Sequence, residues 1–210
     1  MKDYIFPFST CEKPNKNGIA QPYSVMVNVL SIFIILYFLC QVKKWYAFLL
    51  IFSLLIFECV HTFSHAIHLP NYLQVNIIHA LTYVINFCYL VAFYNYTHKA
   101  PSPLFLTYLV ILLSFDVYAF LWLTFVFYFT SSLLMFFSIL IYYYQYLPKE
   151  KQHYIFTILA FGVTIMVFFY NEKMNCGKML SFMPNFPFHA LLELAGTFIF
   201  YFICKFFSTF

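Results

Sequence analysis

Arginine is absent from this chain, and all 11 basic residues are lysine. Charge of either sign is scarce: 9% of the 210 residues are Asp, Glu, Lys or Arg, against the roughly one quarter usual for a soluble domain. That deficit excludes a water-soluble globular protein. A net charge of +4, borne by lysines in loops and tails, calls for no nucleic-acid partner. Glycine is also rare, with four residues, so close small-residue helix contacts are few. The first residues, MKDYIFPFSTCEKPNKNG, lack the apolar core and small-residue cleavage site of a cleavable signal peptide. The first apolar span is therefore expected to serve as the signal anchor.

What is present is apolar. Hydrophobic residues make up 64% of the chain and aromatic residues 25%, the latter read as lipid-facing bulk and interfacial belts. A membrane helix needs about 20 mostly apolar residues. Seven such runs are read at 22–41, 45–67, 73–96, 103–120, 122–146, 153–171 and 185–207. The run from 103 to 146 has no Gly or Pro break after Pro103. It is too long for one span, and a tight turn is expected near Ala119–Trp122. The prediction is an all-α, integral-membrane seven-helix bundle over 22–207. An extracytoplasmic tail, 1–21, precedes it and a short cytoplasmic tail, 208–210, follows.

Lysines set the orientation. Lys43, Lys44, Lys99, Lys149, Lys151 and Lys205 follow spans 1, 3, 5 and 7, all on one side. The connections after spans 2 and 4 carry none. The one after span 6 has Lys173 and Lys178, with Glu172 offsetting part of their charge. The positive-inside rule places the C-terminus in the cytoplasm and the N-terminus outside or in a lumen. The tail lysines Lys2, Lys13 and Lys16 oppose this, with Asp3 and Glu12 compensating in part.

Five of the seven histidines, His61, His65, His68, His79 and His189, then fall in the outer third of the membrane, on three spans. Glu58, His61, His65 and His68 recur at i, i+3, i+7 and i+10, one stripe of a helix. His189 and Glu193, at i and i+4, share a face of span 7. Ionisable groups at such depth are costly and mark function or pairing. Imidazole and carboxylate together suit zinc. Plainer roles stand beside that one. His68 and His79 suit hydrogen bonds across the bundle or a polar entrance, Glu58 and His61 suit a metal-free pair, and Asp116 suits a structural hydrogen-bonding group. Cys40, Cys59, Cys88 and Cys204 lie in spans as apolar filler. Cys11 and Cys176 lie on the predicted outer side, where they are either a disulfide or two surface thiols.

Four stretches resemble the alkaline ceramidases, within the seven-span hydrolases that include adiponectin-receptor-like proteins. The tail STCEKPNKNGIAQPYSVMVN is similar to that family's Trp-Cys-Glu-x-Asn segment and span-1 entrance. HTFSHAIH in span 2 resembles its Ser-x-x-Phe-His. Cys176 stands where a loop cysteine pairs with the tail cysteine. HALLELAG in span 7 resembles its His-Ala-x-Trp-His-x-x-Ala-Gly. The resemblance implies zinc held by His65, His189 and Glu193, a Cys11–Cys176 bridge, and a remnant of a calcium site at Glu12 and Asn15. It implies hydrolysis of a lipid amide entering from the bilayer, with His61, His79 or Glu58 moving the proton. The sequence departs from the family pattern in several places. Glu193 replaces a second span-7 histidine, His61 stands at the serine position, and the span-3 aspartate has no counterpart but Asn76 or His79. Gln21 replaces an acidic residue at the span-1 entrance. Two other classes are weighed. One is a degenerate lipid-binding or receptor-like bundle with a structural metal or none, a closed four-ligand shell of His61, His65, His189 and Glu193 marking the structural-metal form. The other is a proton-coupled carrier using Glu58, Asp116, Glu193 and the histidines, against which the spans show no paired Gly/Pro interruptions.

Overall fold

The computed structural model describes residues 11–12, 15–67, 72–123 and 125–208. His68, Lys2, Asp3 and Lys13 lie outside the described residues. Seven helices run in chain order: α1 (Pro22–Leu39), α2 (Trp45–Ala66), α3 (Tyr72–Thr97), α4 (Pro103–Trp122), α5 (Phe125–Tyr144), α6 (Lys149–Phe182) and α7 (Phe188–Ser208). All seven are long and apolar enough to cross a membrane. In lipid each span has to satisfy its own backbone groups, which leaves the helix as the only choice for isolated apolar runs of this length.

α7 packs against α1, α2 and α6. α2 also packs on α1 and α3, and α5 packs on α3, α4 and α6. The end bearing the lysine-rich connections is filled by aromatic side chains. Phe93 stacks on Tyr143 at 5.3 Å between ring centroids and meets Phe206 and Phe207 of α7. The opposite end holds the buried polar groups.

Two boundaries differ from the sequence reading. α4 continues through Trp122, because Ala119 is fully buried within it and nothing in the run breaks a helix. The larger correction concerns span 6, expected to end at 171 with Cys176 in a loop. α6 instead runs to Phe182, and only Asn175 departs from helical geometry (φ −128°, ψ 16°). Asn175 marks a kink, and the part before it, 149–174, spans roughly 39 Å at 1.5 Å per residue, already beyond a hydrocarbon core of about 30 Å. The polar run Asn171–Glu172–Lys173 does not end the helix, because Glu172 turns inward and is buried.

The tail is held by its own side chains. Cys11 is bonded to Cys176, with Cα atoms 5.6 Å apart. Glu12 caps α1 from a distance: Tyr23 N–H and Ser24 N–H donate to its Oε1 at 2.5 and 3.2 Å, and Ser24 Oγ–H donates to Oε2 at 2.5 Å. A carboxylate there meets the positive end of the helix dipole and two donors with no partner inside the helix. Glu12→Ala is expected to lower stability by about 1–2 kcal/mol, read as a lower midpoint of thermal unfolding in detergent. Asn15 Oδ1 accepts from Asn17 N–H and Ile19 N–H, both at 3.0 Å. The two residues assigned to a calcium remnant therefore spend these oxygens on backbone donors of the tail and α1 and on the Ser24 hydroxyl.

Candidate metal centre

The i, i+3, i+7 stripe of α2 sets Glu58, His61 and His65 along one face, turned toward α7. Glu58 is 1% exposed and His65 3%, whereas His61 is 18% exposed. The first two turns of α7 supply His189 and Glu193, both buried.

Glu193 is the centre of the cluster. Its Oε1 lies 3.2 Å from His189 Nε2 and 3.4 Å from His65 Nε2. Its Oε2 lies 3.8 Å from His61 Nδ1, which is 3.5 Å from Glu58 Oε2. His61 Nε2 and His65 Nε2 are 2.9 Å apart. One donor atom from each of His61, His65 and Glu193 falls within a 4.8 Å circle. That group holds two of the three expected zinc ligands, His65 and Glu193, with His61, which the sequence reading weighs as a proton carrier, as the partner of Glu58 and as a fourth ligand. The third expected ligand, His189, stands outside it but reaches Glu193.

The outer nitrogens of two rings are committed. His189 Nδ1 donates to Glu172 Oε2 at 2.7 Å, and His65 Nδ1 donates to Gln21 Oε1. The sequence reading misses both partners, treating Glu172 as a loop charge and Gln21 as a lost acid. The spacing of α1 carries a signal for this face: Gln21, Ser24, Asn28 and Ser31 recur at i, i+3, i+7 and i+10, as on α2, and all are buried. Ser31 Oγ meets Thr197 Oγ1 at 2.6 Å, and Thr197 donates to the Glu193 carbonyl at 3.0 Å.

His79 belongs to a second polar centre. Its Nε2 donates to Asp116 Oδ2 at 3.2 Å, and the Tyr83 hydroxyl donates to the same oxygen at 2.7 Å. Ser131 and Ser132 donate to Oδ1, the latter at 2.8 Å. Asp116 is fully buried and ties α4 to α3 and α5. The hydrogen-bonding role read for it from the sequence is the one it has. His79 Nε2, expected among the proton carriers of the centre, is engaged by Asp116 instead.

The first centre, and of the second only Ser132, border a cavity of about 270 Å³ among α2, α3, α5, α6 and α7. Glu58, His61, His65, His189 and Glu193 form its main polar wall, Ser132, Thr82 and Asn86 add polar points, and Leu54, Ile85, Phe136, Leu192 and Ile199 contribute to the apolar remainder.

The residues suit a zinc ion. With both Nδ1 atoms donating outward, a neutral His65 or His189 turns an Nε2 lone pair toward the Glu193 carboxylate, acceptor against acceptor, and His65 Nε2 also lies 2.9 Å from His61 Nε2. Buried polar atoms in that arrangement call for a positive charge between them. His189 Nε2 and Glu58 Oε2 are buried and make no hydrogen bond of adequate geometry. Ligands 2.0–2.1 Å from a tetrahedral zinc lie roughly 3.3–3.4 Å from one another. The two Nε2–Oε1 separations of 3.2 and 3.4 Å are close to that edge. The Cys11–Cys176 bridge is formed, and Cys40, Cys59, Cys88 and Cys204 are free thiols. Compared with known proteins, the chain matches no family model, no curated protein and no solved structure.

Proposed function

We propose that the protein is a membrane-embedded, zinc-dependent hydrolase that cleaves a lipid amide of the ceramide type to a fatty acid and a sphingoid-type base. The observation that carries this reading is Glu193 flanked by the Nε2 atoms of His65 and His189 on the wall of an otherwise apolar cavity within the bundle. When bound, zinc supplies Lewis acidity toward the amide carbonyl and the means to ionise a water near neutral pH. His65, His189 and Glu193 hold it. The apolar wall takes the acyl chain, which enters laterally from lipid and excludes bulk water. Hydrolysis forms a C–O bond and breaks the C–N bond, and the proton lost by water has to reach the leaving nitrogen. His61, between Glu58 and Glu193, is placed to carry it, and Glu58 orients the ring. His79, held by Asp116, does not line the cavity and has no part in this reaction. The lysine pattern puts the centre near the extracytoplasmic or lumenal surface.

One observation favours a second reading. His61 Nε2, 2.9 Å from His65 Nε2, is near enough to close a four-ligand shell with His65, His189 and Glu193, the form of a structural zinc site in a non-catalytic lipid-binding bundle.

Elemental mass spectrometry of the detergent-purified chain, paired with a lipid-amide hydrolysis assay, separates these. The expected result is about one zinc per chain, lost in His189→Ala with Glu193→Ala, together with zinc-dependent release of fatty acid. Zinc without turnover supports the structural site. No zinc after reconstitution overturns both readings.

A further inference from the structure

The two rings that flank Glu193 are each held from behind by a group tied to the N-terminal tail. Behind His189 stands Glu172 of α6, whose Oε2 accepts from His189 Nδ1 at 2.7 Å and whose Oε1 accepts from Cys11 N–H at 2.8 Å. Cys11 is bonded to Cys176, which is one helical turn beyond Glu172. The tail is thus joined to α6 twice within four residues, once by a covalent bond and once through the carboxylate that orients the ring. Behind His65 stands Gln21, the last tail residue before α1, whose side-chain oxygen accepts from His65 Nδ1. Its position is fixed by the backbone: Gln21 N–H donates to the His65 carbonyl at 3.1 Å, and Ala20 N–H to the Ala66 carbonyl at 3.2 Å. Because Gln21 is occupied in this way, it makes no side-chain cap on α1, and Glu12 supplies the cap instead.

We propose that the N-terminal tail, locked to α6 by the Cys11–Cys176 bridge, is a positioning strap for the centre, acting through Glu172 on His189 and through Gln21 on His65. An outer partner that accepts a hydrogen bond from Nδ1 fixes both the tautomer and the plane of a neutral imidazole, and leaves the metal-binding lone pair on Nε2. Glu172 does this for His189 and Gln21 for His65, and both Nε2 atoms converge on Glu193 Oε1. Neither touches the cavity, so both are positioning residues and not catalytic ones. The bridge matters because the peptide N–H that holds the second oxygen of Glu172 belongs to Cys11 itself. Freed of it, the carboxylate has one ring partner and can rotate.

The role at a metal rests on the zinc reading above, but the ring orientation does not, and the test uses both. The full chain, labelled with ¹⁵N-histidine, is examined in detergent micelles by ring-nitrogen spectra without metal and by zinc titration. In the wild type, His65 and His189 are expected as Nδ1–H tautomers. Glu172→Ala is expected to change the ring shifts of His189 and to leave those of His65, and Gln21→Ala to do the reverse. Zinc affinity falls about 10–100-fold in each. Cys11→Ser with Cys176→Ser is expected to alter His189 as Glu172→Ala does, and adding Glu172→Ala to it produces little further loss, because the two act in series. Should the cysteine variant not fold, the two single variants still decide. Unchanged His189 ring shifts in Glu172→Ala overturn the strap, whether or not zinc binds. A wild type that binds no zinc but shows the two selective shifts overturns the metal reading alone.

Discussion

Glu193→Gln is expected to lower zinc affinity by at least about 100-fold and to abolish zinc-dependent hydrolysis, with little change in the amount of folded protein. The substitution keeps the shape of the side chain and removes its charge, so it isolates the electrostatic contribution. In the native chain the carboxylate lies between two Nε2 atoms whose partner nitrogens already donate outward. A neutral amide offers at most one oxygen and places an N–H₂ group where a ligand is needed. His61→Ala distinguishes the two readings of the site. In a hydrolase it retains zinc and slows turnover, by roughly 10²–10⁴-fold for a lost proton carrier. In a closed structural shell it releases the metal. Zinc content and fatty-acid release, measured on the same preparations, check both variants. Wild-type zinc content and turnover in Glu193→Gln would mean that Glu193 only balances the charge of the histidines.

Asp116→Ala is expected to produce the largest loss of stability, about 3 kcal/mol. The carboxylate accepts from His79, Tyr83, Ser131 and Ser132, and joins α4 to α3 and α5. Interhelical hydrogen bonds in membranes average about 0.6 kcal/mol each, so four account for about 2.4 kcal/mol, and buried donors left without an acceptor add more. α4 depends on this tether unusually strongly. Its packing contact among the described helices is α5, and most of its surface faces lipid. Asp116→Asn, which keeps one acceptor oxygen, is expected to lose about half as much. Unfolding of the detergent-solubilised protein by a graded denaturing detergent measures the difference. An unchanged midpoint would mean that water from the cavity, which Ser132 borders, takes over the donors.

The stripe on α2 was legible because i, i+3 and i+7 spacing fixes a common face in any straight helix, whatever lies opposite. The pair on α7 was legible for the same reason. Depth was legible too, since the lysines alone placed His61, His65, His79 and His189 at one end of the bundle. Glu172 was not. Next to Lys173 and beyond an apolar run, it has the local signature of a loop, and only the unbroken course of α6 carries it inward to His189. His79 was placed at the correct depth but with the wrong neighbours. Its helix faces α5 and reaches Asp116 of α4, and nothing in the spacing of α3 states which of several polar groups at that depth it will meet.

By itself, then, the sequence determined seven membrane helices and the polar faces of α2 and α7. It did so because length, hydropathy and helical period act within a single segment, and a lone segment in lipid has no alternative to a helix. The tertiary structure alone decided which groups meet: Gln21 with His65, Glu172 with His189, Asp116 with His79. Those pairings depend on the rotation of each helix about its axis and on its neighbours. These are set jointly by packing of apolar surfaces and by the disulfide, and no single segment carries them.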